Sequence, residues 1–401
     1  MVLFRIAEYL LRMPEQFEVR VVSRHEGSAH KMFASQLPMI YPASAYPQLP
    51  MYERARRVLA DWLPDLVYAN GAESYEYCVA ATALGIPSIH HVHELEGGFN
   101  SLVHTHDFSV KEGRSLFKEC ADLFICPCQE TEDLLLRRYG VEGSKIQIVH
   151  EFIDPDHVRQ EARSGHAAFR SAGPMVVGCG TASWRKGVDL FLRTAAKMPD
   201  VFFVWIGEFS DPDVRIGALA NVRFVGELLN PFPQMAAGDV FFLPSREDPF
   251  PLVALEAMAL GLPVVAWRKG GGIHAAIQGC GTAVDEPTPN LFERAIRGFL
   301  DDPAKKDRAG KTGAERVQSR YSARTNLPRI LGLIQRASDG TSKRGGDDAN
   351  RHSALMKIHE AALWKKKLGH KALRAAKRAL SPPVKRVLKR ILFSATYPKA
   401  S

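Results

Sequence analysis

Two carboxylates in the second half of the chain are spaced so that both could contact one ligand. The segment 244–272 reads PSREDPFPLVALEAMALGLPVVAWRKGGG, with Asp248 in an acidic loop and Glu256 about one turn inside a helix that begins near Leu252. A helix start offers unpaired backbone N–H groups and a positive dipole end, which suit a phosphate. An ionised carboxylate only accepts hydrogen bonds, so it suits hydroxyl groups. A phosphate flanked by hydroxyls describes a nucleotide sugar; the alternative is an ordinary acidic turn before a buried helix.

A basic loop upstream could hold the same phosphates. The segment 178–192 reads GCGTASWRKGVDLFL, in which a strand runs into a glycine-containing loop and then into a helix. Arg185 and Lys186 give this loop positive charge, and Gly187 precedes the helix, so we predict a diphosphate cradle. The alternative is a surface turn with solvated cations. Glycines 270–272 follow another strand and are predicted to let a ligand approach closely.

Polar residues also follow strands in the first half of the chain. The segment 87–98 reads PSIHHVHELEGG and ends its strand at His93, with Glu94 next in sequence. Asn70 and Gly71 follow another strand. Ligands bind parallel α/β sheets at the carboxyl ends of the strands, so we predict that these residues face one cleft and lie on its acceptor side. The alternative for a histidine at a strand end is a structural role.

The histidines of this region raise the question of zinc. His90, His91 and His93 lie close together in sequence, and His104 and His106 follow. No cysteine or carboxylate completes a recognisable spacing of zinc ligands. The sequence therefore predicts no metal.

Short apolar strands alternate with helical patterns along the first 337 residues. The strands are β-branched, aromatic and apolar on both faces, as expected of buried parallel strands. Helical patterns occupy 188–198, 252–260 and 291–337. This alternation predicts an α/β fold with doubly wound sheets. The predicted strands are 18–24, 65–70, 87–93, 122–128, 146–150, 175–179, 201–206, 222–225, 239–243 and 263–267.

A polar stretch without a strand pattern divides this region in two. It covers 154–173, ends in Ser-Ala-Gly before Pro174, and is predicted to be an interdomain linker. We therefore predict two Rossmann-like domains, 1–153 and 174–337, that face each other across a cleft. Residues 338–401 follow as a tail that starts with a polar, glycine-rich segment.

The acidic segment resembles the signature of the retaining glycosyltransferases of the GT-B fold, family 4, which has an acid, seven residues and then a glutamate. The resemblance implies that Glu256 binds the ribose hydroxyls and that Asp248 contacts the donor sugar. Asp248 stands where the family usually has Glu, and the neighbouring Glu247 is a candidate to share its role. Pro251 stands where the family usually has Gly, which removes one backbone donor.

The other two segments fit the same family. Lys186 and Gly187 match a Lys-Gly pair in a loop whose cations neutralise the leaving diphosphate. Thr181 stands at the usual position of an Arg, and Arg185 is a candidate replacement. His93 matches a histidine beside the anomeric carbon of the donor. The resemblance also assigns donor binding to Phe250, Leu252 and Val253.

The function that the resemblance implies is transfer of a sugar from a nucleotide-diphosphate donor to a glycan or lipid-linked acceptor, with retained anomeric configuration. We expect a hexosyltransferase in cell-surface polysaccharide synthesis that needs neither a metal nor a cofactor besides its donor. A second hypothesis is a catalytically impaired GT-B relic that binds a nucleotide sugar or a partner, which Thr181 and Pro251 favour. A third is a nucleotide-sugar epimerase on the same fold.

The resemblance begins late in the fold. The family opens with a strand and a glycine-rich loop before its first helix, whereas Met1 already lies in a helical pattern formed by Val2, Ile6, Tyr9 and Leu10. The missing strand is normally central in its sheet, and its loss exposes unpaired backbone on its neighbours. We therefore expect an incomplete N-terminal domain.

The net charge of +9 is carried by the end of the chain. Residues 341–401 have a net charge of +13 and the preceding 340 residues a net charge of −4. This distribution argues against a protein that binds nucleic acid as a whole. No apolar run is long enough to cross a bilayer, and six cysteines in 401 residues do not make a disulfide framework. These observations favour a cytoplasmic protein.

The tail contains a basic amphipathic pattern. In 381–392 (SPPVKRVLKRIL), Ser381 can cap a helix and Pro382 suits its first position. Apolar residues share one face and lysines and arginines the other, which fits an anionic membrane surface. We expect 354–392 to dock at the inner face of the plasma membrane; the alternative is a helix packed on the body of the protein. The aromatics of the tail are not interleaved with its charge, so we expect no nucleic-acid partner.

Overall fold

A computed structural model describes residues 2–23, 39–40, 46, 48–105, 110–209, 219–339 and 355. The strands are β1 Val21–Val22, β2 Met39–Ile40, β3 Val67–Asn70, β4 Ser88–His91, β5 Leu123–Cys126, β6 Ile146–Ile148, β7 Met175–Cys179, β8 Phe202–Ile206, β9 Val222–Phe224, β10 Val240–Leu243, β11 Val264–Trp267 and β12 Gly281–Val284. The α-helices are α1 Val2–Leu11, α2 Met51–Trp62, α3 Tyr75–Ala83, α4 Glu96–Thr105, α5 Val110–Glu119, α6 Gln129–Asp133, α7 Pro155–Ser164, α8 Val188–Lys197, α9 Phe232–Ala236, α10 Leu252–Ala259, α11 Ile273–Ala276, α12 Pro289–Leu300, α13 Pro303–Arg320 and α14 Ala323–Asp339. A π-helical segment, Leu134–Tyr139, follows α6.

The second half of the chain forms a six-stranded parallel sheet with the strand order β12-β11-β10-β7-β8-β9. All four residues of β10 are buried, as expected for a central parallel strand with helices on both faces. The strand order reverses between β7 and β10, and the crevice outside the carboxyl ends of strands at such a reversal is where open α/β sheets bind ligands. The predicted donor-binding segments are those two loops.

The first half forms a four-stranded parallel sheet with the order β3-β4-β5-β6. Strands β1 and β2 pair with each other in a separate parallel sheet, so β3 is an edge strand among the described residues. Both halves are therefore α/β with parallel sheets, which confirms the predicted fold class. Each of the ten predicted strands contains an observed strand, but β2 and β12 were missed: β2 has two residues, and β12 (GTAV) begins with glycine and has small residues at its centre.

The predicted linker 154–173 contains a helix, α7. The Asp154 carboxylate accepts a hydrogen bond from the backbone N–H of His157 at 3.1 Å, and Pro155 takes the first helical position. Asp-Pro in a polar stretch is typical of a turn, but the same residues make a helix cap and a first helical residue. The segment therefore contains a helix that the sequence analysis did not predict, and its role as an interdomain linker and the domain boundaries stay predictions.

The last described helix crosses back to the first half of the chain. Helix α14 packs with α1 through Val2 and Ile6, in a cluster that includes Ile89 of β4 and Ile125 of β5. The helical pattern predicted at the start of the chain is thus present, and its apolar face is buried. The two halves of the chain share this cluster because α14 belongs in sequence to the second half.

Most of the predicted tail, 338–401, including the basic segment 354–392, lies outside the described residues, apart from the end of α14 and Leu355. Within the described part of the chain, no helix combines the length and the apolar character that crossing a membrane requires. All six cysteines are free thiols.

Candidate active site

Two predicted residues of opposite charge meet where the strand order reverses. Lys186 lies in the loop after β7 and Asp248 in the loop after β10, and Lys186 Nζ lies 2.5 Å from Asp248 Oδ2. The two side chains are only 16% and 13% exposed. The ion pair places one cation and one carboxylate side by side at the carboxyl edge of the sheet, where a phosphate and a sugar hydroxyl could be bound together.

The backbones of the two loops touch at Gly187. This residue has a φ of +73°, and a Cβ atom on it would lie 2.1 Å from the carbonyl oxygen of Pro244. Both the left-handed conformation and the close approach require glycine. The Lys-Gly pair is therefore explained by the packing that brings Lys186 to the acidic loop.

A second ion pair holds the same loops together. The guanidinium of Arg246 donates to both carboxylate oxygens of Asp189 on α8, at 2.7 and 2.8 Å, and to the carbonyl oxygen of Trp184 at 2.6 Å. Burial opposes ionisation of Asp189, but the hydrogen bonds from Arg246 hold the pKa of its carboxyl below the usual value. Arg185 Nη1 donates to the carbonyl oxygen of Glu247 at 2.8 Å. In this conformation Arg185 thus braces the acidic loop, and its role in binding a diphosphate stays a prediction.

Glu256 lies on α10, the helix that directly follows the loop of Asp248. Burial raises the pKa of its carboxyl to about 7. Among the described residues, none donates a hydrogen bond to this carboxylate. Its negative charge reaches the thiol of Cys179 at the end of β7, whose pKa is raised to about 12 by burial and then by Glu256. A half-buried acceptor without a donor at the crevice is suited to the hydroxyl groups of a ligand.

The start of α10 offers backbone donors beside these carboxylates. Pro251 is the N-cap, and within the described part of the chain the N–H groups of Leu252 and Val253 have no acceptor. Pro251 removes one donor but leaves these two for an anion. Phe250 is buried and stacks on His150, with a ring-centroid distance of 5.2 Å, and it also packs against Tyr321. This packing is structural, and donor binding by Phe250 stays a prediction.

The glycine run 270–272 packs against the backbone of the acidic loop that carries Asp248. Gly271 has a φ of +146°, and a Cβ atom on it would lie 1.8 Å from the carbonyl oxygen of Asp248. The backbone N–H of Asp248 donates to the carbonyl oxygen of Gly270 at 2.7 Å, and that of Gly272 to the carbonyl oxygen of Pro249 at the same distance. The sequence predicted that a ligand approaches these glycines closely. In the structure the backbone of residues 248–249 makes this close approach, and the contact fixes the backbone that carries Asp248.

Glu247 contacts the opposite half of the chain. Its two carboxylate oxygens accept hydrogen bonds from the backbone N–H groups of Gly97 and Gly98 at 3.1 Å each, at the start of α4. A Cβ atom on Gly97 would lie 2.3 Å from Glu247 Oε2, so a larger residue there would displace the carboxylate. In this conformation the carboxylate caps a helix across the cleft and does not join Asp248 and Lys186. A share in donor binding stays a prediction for Glu247.

The predicted acceptor-side residues lie together in the first half of the chain. His93 Nε2 is hydrogen-bonded to Asn70 Oδ1 at 2.8 Å, and the backbone N–H of His93 donates to Glu94 Oε2 at 2.9 Å. A Cβ atom on Gly71 would lie 3.3 Å from Glu94 Oε1. Burial raises the pKa of Glu94 above its usual value. Four residues from two neighbouring strands thus form one polar cluster, as their positions at strand ends predicted.

One residue of this cluster was missed. Glu151, just past β6, has its Oε1 atom 2.5 Å from His93 Nδ1, and its side chain is 6% exposed. It is 58 residues away from His93, so no local spacing linked the two. Its place after a parallel strand is the signal that could have identified it.

A carboxylate does therefore lie beside the histidines, contrary to what their sequence spacing indicated. Candidate ligand atoms of His91, His93 and Glu151 lie within 4.8 Å of one another. Glu151 is hydrogen-bonded to His93, and His91 Nδ1 to the hydroxyl of Tyr68 at 2.7 Å, whereas the buried Nε2 atom of His91 has no hydrogen-bond partner among the described residues. We do not assign these side chains as metal ligands. The absence of a metal stays a prediction.

Two family models match the chain. The model described as glycosyl transferases group 1 matches residues 173–302, and the model described as glycosyltransferase family 4 matches residues 1–157. Together they cover both parallel sheets and all the candidate residues described above.

Individual proteins of related sequence are glycosyltransferases. The chain is 28% identical over 298 residues to D-inositol 3-phosphate glycosyltransferase 1 of Catenulispora acidiphila, an alignment that covers 65% of this chain and 69% of that protein. It is 25% identical over 283 residues to the sulfoquinovosyl transferase SQD2 of Arabidopsis thaliana, covering 66% of this chain and 55% of that protein. The aligned regions thus span only about half to two thirds of these relatives.

The fold is also that of a solved structure. Alr3699/HepE of Anabaena, crystallised with UDP and glucose, superimposes with a TM-score of 0.70 over 83% of this chain and 95% of that chain, at 18% identity. At this identity the likeness concerns the fold, which is a pair of facing parallel-sheet domains.

Proposed function

Because the chain belongs to the family 4 type of glycosyltransferases with the GT-B fold, we propose that it transfers a sugar from a nucleotide-diphosphate donor to a glycan or lipid-linked acceptor, with retention of anomeric configuration. The observation that carries this proposal is the ion pair between Lys186 and Asp248 at the crevice of the six-stranded sheet. It sits beside a helix start with free backbone donors and a carboxylate, Glu256, that lacks a donor. Phosphate, sugar and ribose each find a matching group there.

In this proposal each group acts on a different part of the donor. The ribose hydroxyls donate to the carboxylate of Glu256, and the hydroxyls of the sugar donate to Asp248. Negative charge develops on the diphosphate as its oxygen separates from the anomeric carbon. Lys186 and the N–H groups of Leu252 and Val253 stabilise that charge because they are already fixed in place before the reaction. His93 acts near the reacting carbon, and Asn70, Gly71 and Glu94 face the acceptor.

The donor is the part of the proposal that binding tests directly. We expect one nucleotide-diphosphate hexose from a panel to raise the melting temperature, because a ligand present at 100 times its Kd stabilises by about 2.7 kcal/mol. The shift should persist in EDTA, since cations of the protein take the place of a metal. No shift with any nucleotide sugar would contradict the proposal.

Turnover of that donor separates the proposed activity from the two alternatives. Slow hydrolysis of the donor without an acceptor, and transfer with one, are the results expected of a glycosyltransferase. Binding without either reaction would favour a catalytically impaired GT-B relic. An isomerised nucleotide sugar formed without any acceptor would favour an epimerase.

For the tail we propose that residues 354–392 attach the protein to the inner face of the plasma membrane, where a lipid-linked acceptor for cell-surface polysaccharide would be found. Support comes from the sequence, in which basic and apolar residues of 381–392 alternate at helical spacing. The full chain should sediment with vesicles that contain anionic lipid and be released by salt. Equal binding to neutral and anionic vesicles would contradict this proposal, and a chain that ends at residue 339 is the matched control.

A further inference from the structure

We propose that Glu151 is a positioning residue that keeps His93 as an imidazolium of fixed orientation at the acceptor side of the cleft. The inference rests on the proposed function for the place of His93 in the reaction. It names a residue, Glu151, that the site prediction did not include. It also assigns a charge to the ring, which a histidine does not have by default at neutral pH.

The hydrogen bonds of the ring are the first argument. Nδ1 of His93 faces a carboxylate oxygen of Glu151 at 2.5 Å, and Nε2 faces the amide oxygen of Asn70 at 2.8 Å. Both partner atoms are acceptors. A neutral imidazole carries one N–H and could donate to only one of them, whereas the imidazolium donates to both. If the side-chain amide of Asn70 is rotated by 180°, its NH₂ group donates to Nε2 of a neutral ring instead. The charge of the ring therefore distinguishes the two orientations of the amide.

The burial of Glu151 is the second argument. Its side chain is 6% exposed, and its Oε2 atom has no hydrogen-bond partner among the described residues. A buried carboxylate without a cation is strongly destabilising, so Glu151 needs a positive neighbour. Within the described part of the chain its ion-pair neighbours are His93 and, at 4.0 Å, His91. His91 cannot serve, because burial keeps its pKa well below the usual value and its ring neutral.

The carboxylates around His93 act in the same direction. Burial and the positive charge of the N-terminus lower the pKa of His93, but the attraction and the hydrogen bond of Glu151, together with the attraction of Glu94, raise it above the usual value. His91, from β4, faces the ring at a centroid distance of 4.1 Å and is neutral. His90 precedes His91 on β4, and burial lowers the pKa of His90 to about 4. Asn70, from β3, is uncharged. The carboxylates therefore dominate the environment of the ring.

A fixed charge on His93 has a use in the proposed reaction. Thr181 stands where the family usually has an Arg, and Lys186 is paired with Asp248. An imidazolium would place a further positive charge on the acceptor half, opposite the loops that hold the donor. Positive charge on this half attracts the negative diphosphate across the cleft, and Glu151 and Asn70 hold that charge in a fixed orientation before the reaction.

The test measures the ring itself and the reaction separately. Histidine labelled with ¹³C and ¹⁵N, with the His93 signal assigned by its loss in His93→Gln, gives the protonation midpoint of His93 by NMR. We expect a midpoint above 6.5 in the wild-type protein and a fall of at least about one unit in Glu151→Gln, which keeps the shape but removes the charge. Glu151→Asp should restore part of the shift. Glu315→Gln, at an exposed position on α13, is the matched control and should change nothing.

The rate of transfer should follow the protonation of the ring. In Glu151→Gln the fall in kcat with rising pH should move to lower pH, so that the variant loses up to about tenfold at pH 7.5 for each unit by which the midpoint falls, but little at pH 5.5, with KM for the donor unchanged. A loss of equal size at every pH would indicate a merely structural role and overturn the proposal. So would an unchanged midpoint of His93 in Glu151→Gln. Because the midpoint is measured without substrate, it decides the inference even if the proposed transfer is not found.

Discussion

Replacing Glu256 with Gln should reduce donor turnover by about 100-fold or more and, at the same time, make the folded protein more stable at alkaline pH. The first effect follows because hydrogen bonds from ribose hydroxyls to a charged acceptor contribute about 1.5–3 kcal/mol each. The second follows from the pKa of about 7, which burial has raised from 4.5. The folded protein binds this proton more tightly than the unfolded chain does, so stability falls as pH rises from 4.5 through 7.

Thermal unfolding at several pH values checks the second effect. Above pH 8 the glutamine variant should be more stable, by an amount on the order of 3 kcal/mol, because a shift of one pKa unit corresponds to about 1.4 kcal/mol. The gain should vanish as pH falls below 4.5, where Glu256 becomes protonated in both states. Glu315→Gln should show neither effect. Undiminished turnover would remove Glu256 from the donor site, and a gain in stability that is independent of pH would contradict an ionisable group buried in the crevice.

Replacing Lys186 with Ala should lower kcat by about 100- to 1000-fold. This is the loss found when one preorganised group that stabilises developing charge is removed. The variant also leaves the carboxylate of Asp248 without its cation beside the bound diphosphate, which adds repulsion. Lys186→Arg should recover part of the rate, since it keeps the charge but changes the geometry at Asp248.

A second lysine offers a matched control for Lys186. Lys306 Nζ lies 2.6 Å from Asp239 Oδ1 in a part-buried ion pair on the same domain, and neither residue is in the candidate site. Lys306→Ala should cost stability of similar size and leave kcat unchanged. Equal losses of kcat in the two alanine variants would show that Lys186 acts through folding and not on the donor.

The sequence predicted the parts of the site that lie in continuous segments. Lys186, Asp248 and Glu256 belong to two strand-loop-helix units, and the carboxyl ends of adjacent parallel strands must meet at one edge of the sheet. The ten strands were found for a related reason, because buried parallel strands are apolar runs between turn signals. Helix α7 was missed since Asp154 and Pro155 suit a turn and a helix start equally well.

Other features depend on contacts between distant segments. Glu151 reaches His93 across 58 residues of sequence, and no local pattern pairs a single acid with a single histidine at that distance. Glu247 is adjacent to Asp248 in sequence and was a candidate to share its role. Its side chain points in another direction, and its carboxylate accepts hydrogen bonds from Gly97 and Gly98 on the other half of the chain. The role of Gly271 was also hidden, because the atom that it admits is a backbone oxygen of Asp248 and not a ligand.

The return of α14 to the first half of the chain determines on which half the residues before the tail lie. Although α14 follows the six-stranded sheet in sequence, it packs on α1, β4 and β5 of the first half of the chain. Helix α14 therefore ends, at Asp339, on the first half of the chain. The attachment proposed for residues 354–392 would therefore act on the first half of the chain.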